Sequence, residues 1–421
     1  MKYTKTTLKN GLRVITVPMK DTKSLTLLVL FGTGSKYEAK RINGVSHFLE
    51  HLFFKGTVSR PEPGDISRVL DDVGAEHNAF TSKEVTGYWV KTASKQFPLA
   101  LDIVSDILLE PLFNTDEIEK ERGVIFQEMN MYLDTPRQHI HDLFEGLLYG
   151  DQPAGWDIIG TKESLNSLVR KDIVNYRKNY YVGSNAIVVV AGNIDEHTAV
   201  QQIKKAFSSL PAGMPKKKKP VREGQKTPAV QIMRKKTDQT HMIVGARAYG
   251  MYDEERYATS LLASILGGKA SSRLYMDIRE RLGLAYTIGA GTQTYTDSGY
   301  VSVYAGVPHE KAKEVVRRIR DAFRVAEKEG VTPDEVRRAK DFYRGHFAIS
   351  LESSDEVASF FAEQELFYGR VQTPEEVMAR IERVTERDIN AVATHIFHPR
   401  NLNAVLIGPH ADVRGMEKLL A

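Results

Sequence analysis

The two halves of the sequence pass through the same order of strand and helix patterns. Each half begins with an apolar, strand-like run, continues through a helix and a strand pair that ends in Gly-Tyr, and closes with a helix and a final strand. The matching segments are 24–31 with 240–248, 44–55 with 257–266, 87–90 with 299–302, 171–173 with 387–389, and 185–191 with 403–407. Similarity at this long spacing indicates an internal duplication.

The grouping of strands and helices predicts the fold class. Within each half, strands are mostly separated by turns, whereas helices occur in groups. That arrangement favours α+β folds over doubly wound parallel sheets. We therefore predict an α+β protein with two structurally similar α/β-sandwich domains, each a mostly antiparallel sheet packed with helices.

A segment rich in proline, glycine and lysine divides the halves at 211–228, where it reads PAGMPKKKKPVREGQKTP. A chain of 421 residues is too long for one ordinary core. The predicted domains are therefore 1–210 and 230–421, joined by a linker at 211–229. The four lysines at 216–219 could also form a patch that binds nucleic acid. The absence of interleaved aromatic residues and the flanking prolines favour a solvated linker instead.

Composition excludes several kinds of site and partner. A net charge of +4, from 58 basic and 54 acidic residues, gives no support for nucleic-acid binding. Cysteine is absent, so the chain has neither disulfides nor thiolate metal ligands. No stretch approaches the roughly 18 apolar residues of a membrane span, and no apolar region follows the basic N-terminus. We expect a cytoplasmic protein without membrane or nucleic-acid partners.

The segment His47-Phe48-Leu49-Glu50-His51 carries the first candidate chemistry. On a helix, residues four apart lie only about 40° from each other around the axis, so His47 and His51 project side by side. Two imidazoles in this arrangement can bind one zinc ion. Glu50 would then lie close enough to reach a water on the metal without being a ligand. The order H-x-x-E-H is the inverzincin order, but a pentapeptide alone can arise by chance, so a third ligand is needed.

The third ligand is sought in the run TDEIEKERGVIFQE at 115–128. Thr115 and Asp116 are typical of a helix start. Glu121 and Glu128 lie seven residues apart and so share one stripe of that helix. A carboxylate on a packed helix is costly unless it is paired or bound to a metal. His139 and His141 are two residues apart and would point about 200° from each other, so we interpret them as non-ligands.

Together, GVSHFLEHLFFKGT at 44–57 and ERGVIFQEMNMYLDTP at 121–136 resemble the M16 family of zinc peptidases, which includes the mitochondrial processing peptidase and insulin-degrading enzyme. The resemblance extends over essentially the whole chain, and its length is similar to that of the short, two-domain subfamily closest to processing peptidase. It implies that His47, His51 and Glu128 bind one Zn²⁺ per subunit, that Glu50 is the general base, and that Glu121 supports the ligands.

The resemblance also identifies candidate substrate-binding residues. The segment Asn78-Ala79-Phe80 is similar to the strand on which a substrate peptide of the family adds itself as a further β-strand. An ordinary edge strand without a partner remains the alternative for this segment. In the second half, Arg279 and Tyr286 match a family pair, seven residues apart, that anchors substrate carbonyls and the tetrahedral intermediate; without the resemblance they would be read as a surface and a core residue.

The resemblance implies a zinc-dependent endopeptidase that acts on unstructured peptides or exposed protein termini. It also implies a homodimer in which Arg279 and Tyr286 of each chain serve the zinc site of the partner. Two alternatives stay open: a non-catalytic core or scaffold subunit of a larger complex, and a catalytic subunit that needs a different partner chain.

Overall fold

The computed structural model of the protein describes residues 1–420. Its strands are β1 (Thr4–Thr7), β2 (Arg13–Pro18), β3 (Ser24–Phe31), β4 (Glu76–Thr81), β5 (Thr86–Ala93), β6 (Ala186–Gly192), β7 (Ala229–Arg234), β8 (Thr240–Ala248), β9 (Thr287–Tyr295), β10 (Ser298–Val307) and β11 (Leu402–Gly408). Its α-helices are α1 (Val45–Leu52), α2 (Asp65–Asp71), α3 (Phe97–Leu109), α4 (Thr115–Asp134), α5 (Pro136–Tyr149), α6 (Lys162–Ser167), α7 (Arg170–Tyr180), α8 (Glu196–Ala206), α9 (Glu255–Gly267), α10 (Ala312–Lys328), α11 (Pro333–Ser350), α12 (Ser354–Tyr368), α13 (Pro374–Arg383), α14 (Glu386–Ile396) and α15 (Val413–Leu420).

The first compact unit is built around a six-stranded sheet of order β1-β2-β6-β3-β5-β4. All its strand pairs are antiparallel except β2 with β6. The side chains of β3 alternate between two apolar clusters: Leu27 faces the cluster that includes α1 and α3, whereas Leu28 faces a cluster formed with α12. Burial on both faces explains why β3 is apolar almost throughout.

The second unit repeats this plan. Its sheet has the order β7-β11-β8-β10-β9, and the equivalents in the first sheet, β2-β6-β3-β5-β4, follow the same order. Again a single pair, β7 with β11, is parallel. Helices α9, α10 and α14 contribute to the cluster on one face, and α5 packs on the other. The predicted α+β class, with two similar helix-packed sheets, is confirmed.

The two compact units differ from the predicted domains 1–210 and 230–421 by two segments, because each unit includes one segment from the other half of the chain. The first unit takes in 347–374, with α12, and the second takes in 130–156, with α5. Each sheet is apolar on both faces, so each needs helices on both sides, and the second layer comes from the other half of the chain. The units part at Lys219–Pro220, inside the predicted linker.

None of the helices within residues 1–420 is both long and apolar enough to cross a membrane.

Candidate metal centre

A buried carboxylate holds the first turn of α1 in place. Glu38, only 4% exposed, accepts hydrogen bonds from the backbone N–H groups of Gly44 (2.7 Å) and Ser46 (2.8 Å). Burial raises the pKa of Glu38, although these bonds act in the opposite direction. The Ser46 hydroxyl donates to the Tyr176 hydroxyl at 2.7 Å. Free N–H groups at a helix start need such acceptors, and the positive end of the helix dipole favours a carboxylate there.

Gly44 makes this helix start possible. Its φ of +94° lies in the left-handed region, and a Cβ at this position would lie 2.6 Å from the Ile159 carbonyl oxygen. Glu38 could not be predicted from the sequence, because a carboxylate six residues before the N-cap follows no capping pattern. It is brought to α1 by the chain reversal at 38–44.

Three side chains predicted as zinc ligands converge between α1 and α4. The Nε2 atoms of His47 and His51 lie 3.6 Å and 3.4 Å from the same atom, Oε2 of Glu128. All three residues are partly exposed. Nitrogen and oxygen ligands about 2.0–2.2 Å from one zinc ion are separated by about 3.3–3.6 Å in a tetrahedron. The donor set and the two histidine–glutamate distances therefore fit zinc, and within residues 1–420 this is the single group of three such side chains.

Glu121 orients one of the imidazoles. Its Oε2 lies 3.1 Å from Nδ1 of His51, and its Oε1 lies 2.7 Å from the Lys55 ammonium group. An N–H donated from Nδ1 leaves the Nε2 lone pair of His51 free to bind a metal. Glu121 is 4% exposed; burial raises its pKa, but the bonds from His51 and Lys55 outweigh that effect and lower it.

The imidazoles and carboxylates of this cluster stabilise each other's charged forms. The two imidazoles hold the pKa of Glu128 down to about 2. Burial alone would lower the pKa of His51, but its bonds to Glu121 and Glu128 raise the value to about 9. Nδ1 of His47 is buried and has no hydrogen-bond partner among the described residues. The carboxylates of Glu121, Glu128 and Glu50 around His51 therefore favour positive charge at this site, as a divalent cation would supply.

Glu50 lies on α1 beside the ligands and contacts the edge of the sheet. Its Oε2 accepts a hydrogen bond from the Thr81 hydroxyl at 2.6 Å. Thr81 is the last residue of β4, so one hydrogen bond links the candidate base to the candidate substrate strand. No motif in the sequence marks Thr81 as part of the site.

Asn78, Ala79 and Phe80 lie on β4, which is an edge strand and pairs only with β5. The Ala79 N–H donates to the side-chain oxygen of Asn78 at 2.9 Å, and this hydrogen bond is exposed. Phe80 lies against Gly87 of β5, where a Cβ would come within 2.5 Å of its ring. The free edge of β4 is therefore open to a further strand.

Arg279 and Tyr286 lie together in the second unit. Arg279 belongs to a π-helical segment, Tyr275–Arg281, and Tyr286 directly precedes β9. The guanidinium carbon of Arg279 lies 5.5 Å from the centre of the Tyr286 ring and 4.9 Å from that of Tyr275. Tyr286 is 80% exposed, unusually high for an aromatic side chain. Tyr275, four residues before Arg279, is a further neighbour that the predicted pair did not include.

His139 and His141, interpreted as non-ligands, lie on α5 outside the cluster. His139 is buried near Asp142, at 3.9 Å. His141 stacks on the Tyr304 ring with a centroid distance of 6.1 Å.

Comparison with family models gives two matches that together span most of the chain. Residues 13–162 match the model described as "Insulinase (Peptidase family M16)", and residues 167–343 match "Peptidase M16 inactive domain". The first match contains His47, Glu50, His51 and Glu128. The helix α9 of the second unit, equivalent to α1, carries no histidine.

Curated relatives match along almost their full length, and their names describe them as uncharacterized zinc proteases. A protein of Streptomyces coelicolor is 35% identical over 97% of this chain and 90% of its own length. One from Mycobacterium tuberculosis is 35% identical over 99% and 95%, and one from Bacillus subtilis is 33% identical over 97% and 98%.

Two solved structures share the fold. The crystal structure of a protease from Helicobacter pylori superposes with a TM-score of 0.90 at 26% identity, covering 97% of this chain and 99% of that one. A structure from Pseudomonas fluorescens, described as a peptidase M16 inactive domain, gives a TM-score of 0.89 at 18% identity, with 98% of both chains covered.

Proposed function

Because the chain belongs to the M16 family of peptidases, we propose that it is a zinc-dependent endopeptidase that cleaves unstructured peptides or exposed protein termini. The observation that carries this proposal is the convergence of His47, His51 and Glu128 next to Glu50. A zinc ion, when bound by these three residues, supplies the Lewis acidity that peptide hydrolysis needs.

Glu50 moves the proton in this proposal. Its carboxylate takes a proton from the attacking water and delivers it to the leaving amine. The Thr81 hydroxyl, 2.6 Å from Oε2, fixes one oxygen of Glu50 and leaves the other to carry the proton. Glu121 keeps His51 in the tautomer that binds metal through Nε2.

The substrate binds along the free edge of β4 as an added antiparallel or parallel strand. Such pairing requires an extended backbone, which unstructured peptides and exposed termini offer and folded segments do not. The bond from the Ala79 N–H to Asn78 is local and exposed, so an incoming carbonyl can replace it.

Proline at position 79 tests this binding mode. Ala79→Pro removes an exposed backbone donor at an edge position, where proline is tolerated. We expect KM for an unfolded peptide to rise at least about fivefold, the loss of roughly one hydrogen bond, with kcat changed less. Ala79→Ser, which changes the side chain but keeps the N–H group at the same position, is the matched control. An unchanged KM in Ala79→Pro, with zinc content intact, would exclude pairing at this position.

Arg279 and Tyr286 complete the site from a second copy of the chain in this proposal. Their side chains form one exposed cation–aromatic pair that can donate hydrogen bonds to a substrate carbonyl and to the developing oxyanion. Support comes from family analogy and from the presence of both motifs in one chain. A homodimer of this kind contains two shared sites.

Mixing two inactive variants tests the shared sites. Glu50→Gln and Arg279→Ala should each be nearly inactive alone. After joint unfolding and refolding, random pairing gives half mixed dimers, each with one intact site, so about a quarter of wild-type activity should return. If subunit exchange is demonstrated by mass and no activity returns, each chain completes its own site.

The scaffold alternative is disfavoured by the complete ligand set and by the bond that holds Glu50. A protein without catalytic function has no need for a base beside three converging ligands. The requirement for a different partner chain is tested by the same mixing experiment, because wild-type protein purified alone should be active.

A further inference from the structure

A small cavity of about 130 Å³ lies in the second unit, where the loop after α9 meets the start of α11. Its polar lining consists of Lys269, Ser272, Arg273, Glu335 and Arg338, with a further serine at position 271. The cavity is well below the roughly 300–1,000 Å³ of sites for drug-sized ligands. Only a small ion or molecule fits.

Basic side chains outnumber acidic ones among the residues that line the cavity. Arg273 makes a two-point ion pair with Glu335, at 2.7 Å through each of Nε and Nη2. Glu335 also accepts from the Thr332 N–H at 2.9 Å, and these bonds hold its pKa at about 2. The one lining carboxylate is therefore fully engaged, while Lys269 and Arg338 add two further positive charges. Arg338 has a partial counter-charge in Asp334, at 3.0 Å.

Two buried donors at the cavity lack partners. The Ser272 side chain is 2% exposed, and its hydroxyl makes no hydrogen bond to any described residue. Nη1 of Arg273, the guanidinium nitrogen that Glu335 does not use, is also buried and unpaired within residues 1–420. Buried donors without acceptors are uncommon in folded proteins and call for an explanation.

The Lys269 ammonium group uses only part of its hydrogen-bonding capacity. It donates to the Arg338 carbonyl oxygen at 3.0 Å, and its other N–H groups make no hydrogen bond to the residues within 1–420. Burial, reinforced by the nearby Arg338 charge, lowers the pKa of Lys269. The carboxylate of Asp341 acts in the opposite direction but does not offset these two effects.

We propose that this cavity binds a small tetrahedral oxyanion of the phosphate or sulfate class. The ligand would accept hydrogen bonds from the Ser272 hydroxyl, Nη1 of Arg273 and the Lys269 ammonium group, and so supply the missing acceptors and negative charge. The site is built from side chains and differs from a phosphate loop, in which consecutive backbone N–H groups surround the phosphate. Binding would join the loop at 269–273 to the start of α11.

Calorimetric titration of the purified full chain with inorganic phosphate tests the proposal, at constant ionic strength set with chloride. We expect saturable binding of one phosphate per chain at this site. Ser272→Ala, which removes only a hydroxyl, and Lys269→Gln should each weaken binding about tenfold or more, the loss of one hydrogen bond to a charged group. Lys328→Gln, the same charge change on the exposed face of α10, should leave it unchanged.

Several outcomes would overturn the assignment. They are the absence of saturable binding, equal affinity in wild type and Ser272→Ala, and acetate binding as tightly as phosphate. Phosphate bound at the zinc centre instead would be insensitive to Ser272→Ala. Far-ultraviolet circular dichroism establishes whether each variant is folded. If Lys269→Gln does not fold, the comparison of wild type with Ser272→Ala still tests the proposal. The titration uses no peptide, so its result is independent of the proposed peptidase activity.

Discussion

Replacing Glu50 by glutamine should lower peptidase turnover by at least about a hundredfold, because general acid–base catalysis contributes roughly 10²–10⁴. Glutamine has nearly the same shape as glutamate and its amide oxygen can still accept the hydrogen bond from Thr81. It cannot accept a proton from water at neutral pH. Glu50→Gln should therefore keep the fold and the zinc content of the wild type and lose only the chemical step.

Turnover of an internally quenched peptide and zinc content by elemental analysis are the two measurements needed. Glu62→Gln, the same charge change at an exposed loop position, is the matched control and should keep normal activity. Turnover near that of the wild type in Glu50→Gln would assign the base elsewhere, with Glu121 the next candidate. Loss of zinc in this variant would instead show that Glu50 acts as a ligand.

Replacing His51 by alanine should have the largest effect on metal binding. It removes one of three ligand atoms and leaves Glu128 with one imidazole instead of two. Loss of a residue that hydrogen-bonds to a metal ligand typically lowers metal affinity 10–100-fold. Loss of a ligand itself should therefore lower zinc affinity by more than about a hundredfold. Activity at limiting zinc should fall with it.

An exposed histidine gives the matched control for this variant. His197→Ala, on α8, should retain zinc and activity. Full zinc content in His51→Ala, measured after dialysis against a weak chelator, would show that the metal is bound elsewhere. Circular dichroism separates loss of metal from loss of fold.

Local periodicity explains what the sequence could predict about the site. His47, Glu50 and His51 lie within one helical segment, so their mutual placement follows from the geometry of α1 alone. Glu121 and Glu128 share a stripe of α4 for the same reason. The packing of this stripe of α4 against α1 is a tertiary contact, which local periodicity does not reveal. Only the family resemblance predicts it.

Contacts between distant segments account for what the sequence did not predict. Glu38 and Thr81 bond to α1 through a chain reversal and a sheet edge, and neither has a local pattern that reveals it. The exchange of α5 and α12 between the units is hidden in the same way, because an amphipathic helix does not specify which apolar sheet face it covers. The catalytic roles of Arg279 and Tyr286 stay predictions.

Titration of metal-stripped protein with zinc, with peptide cleavage as the readout, tests the central claim most directly. The stripped protein should be inactive, and activity should rise in proportion to added zinc and level off at one zinc per chain. Stripped protein with full activity, or protein that binds one zinc through His47, His51 and Glu128 and still cleaves no unfolded peptide, would contradict the assignment as a zinc peptidase.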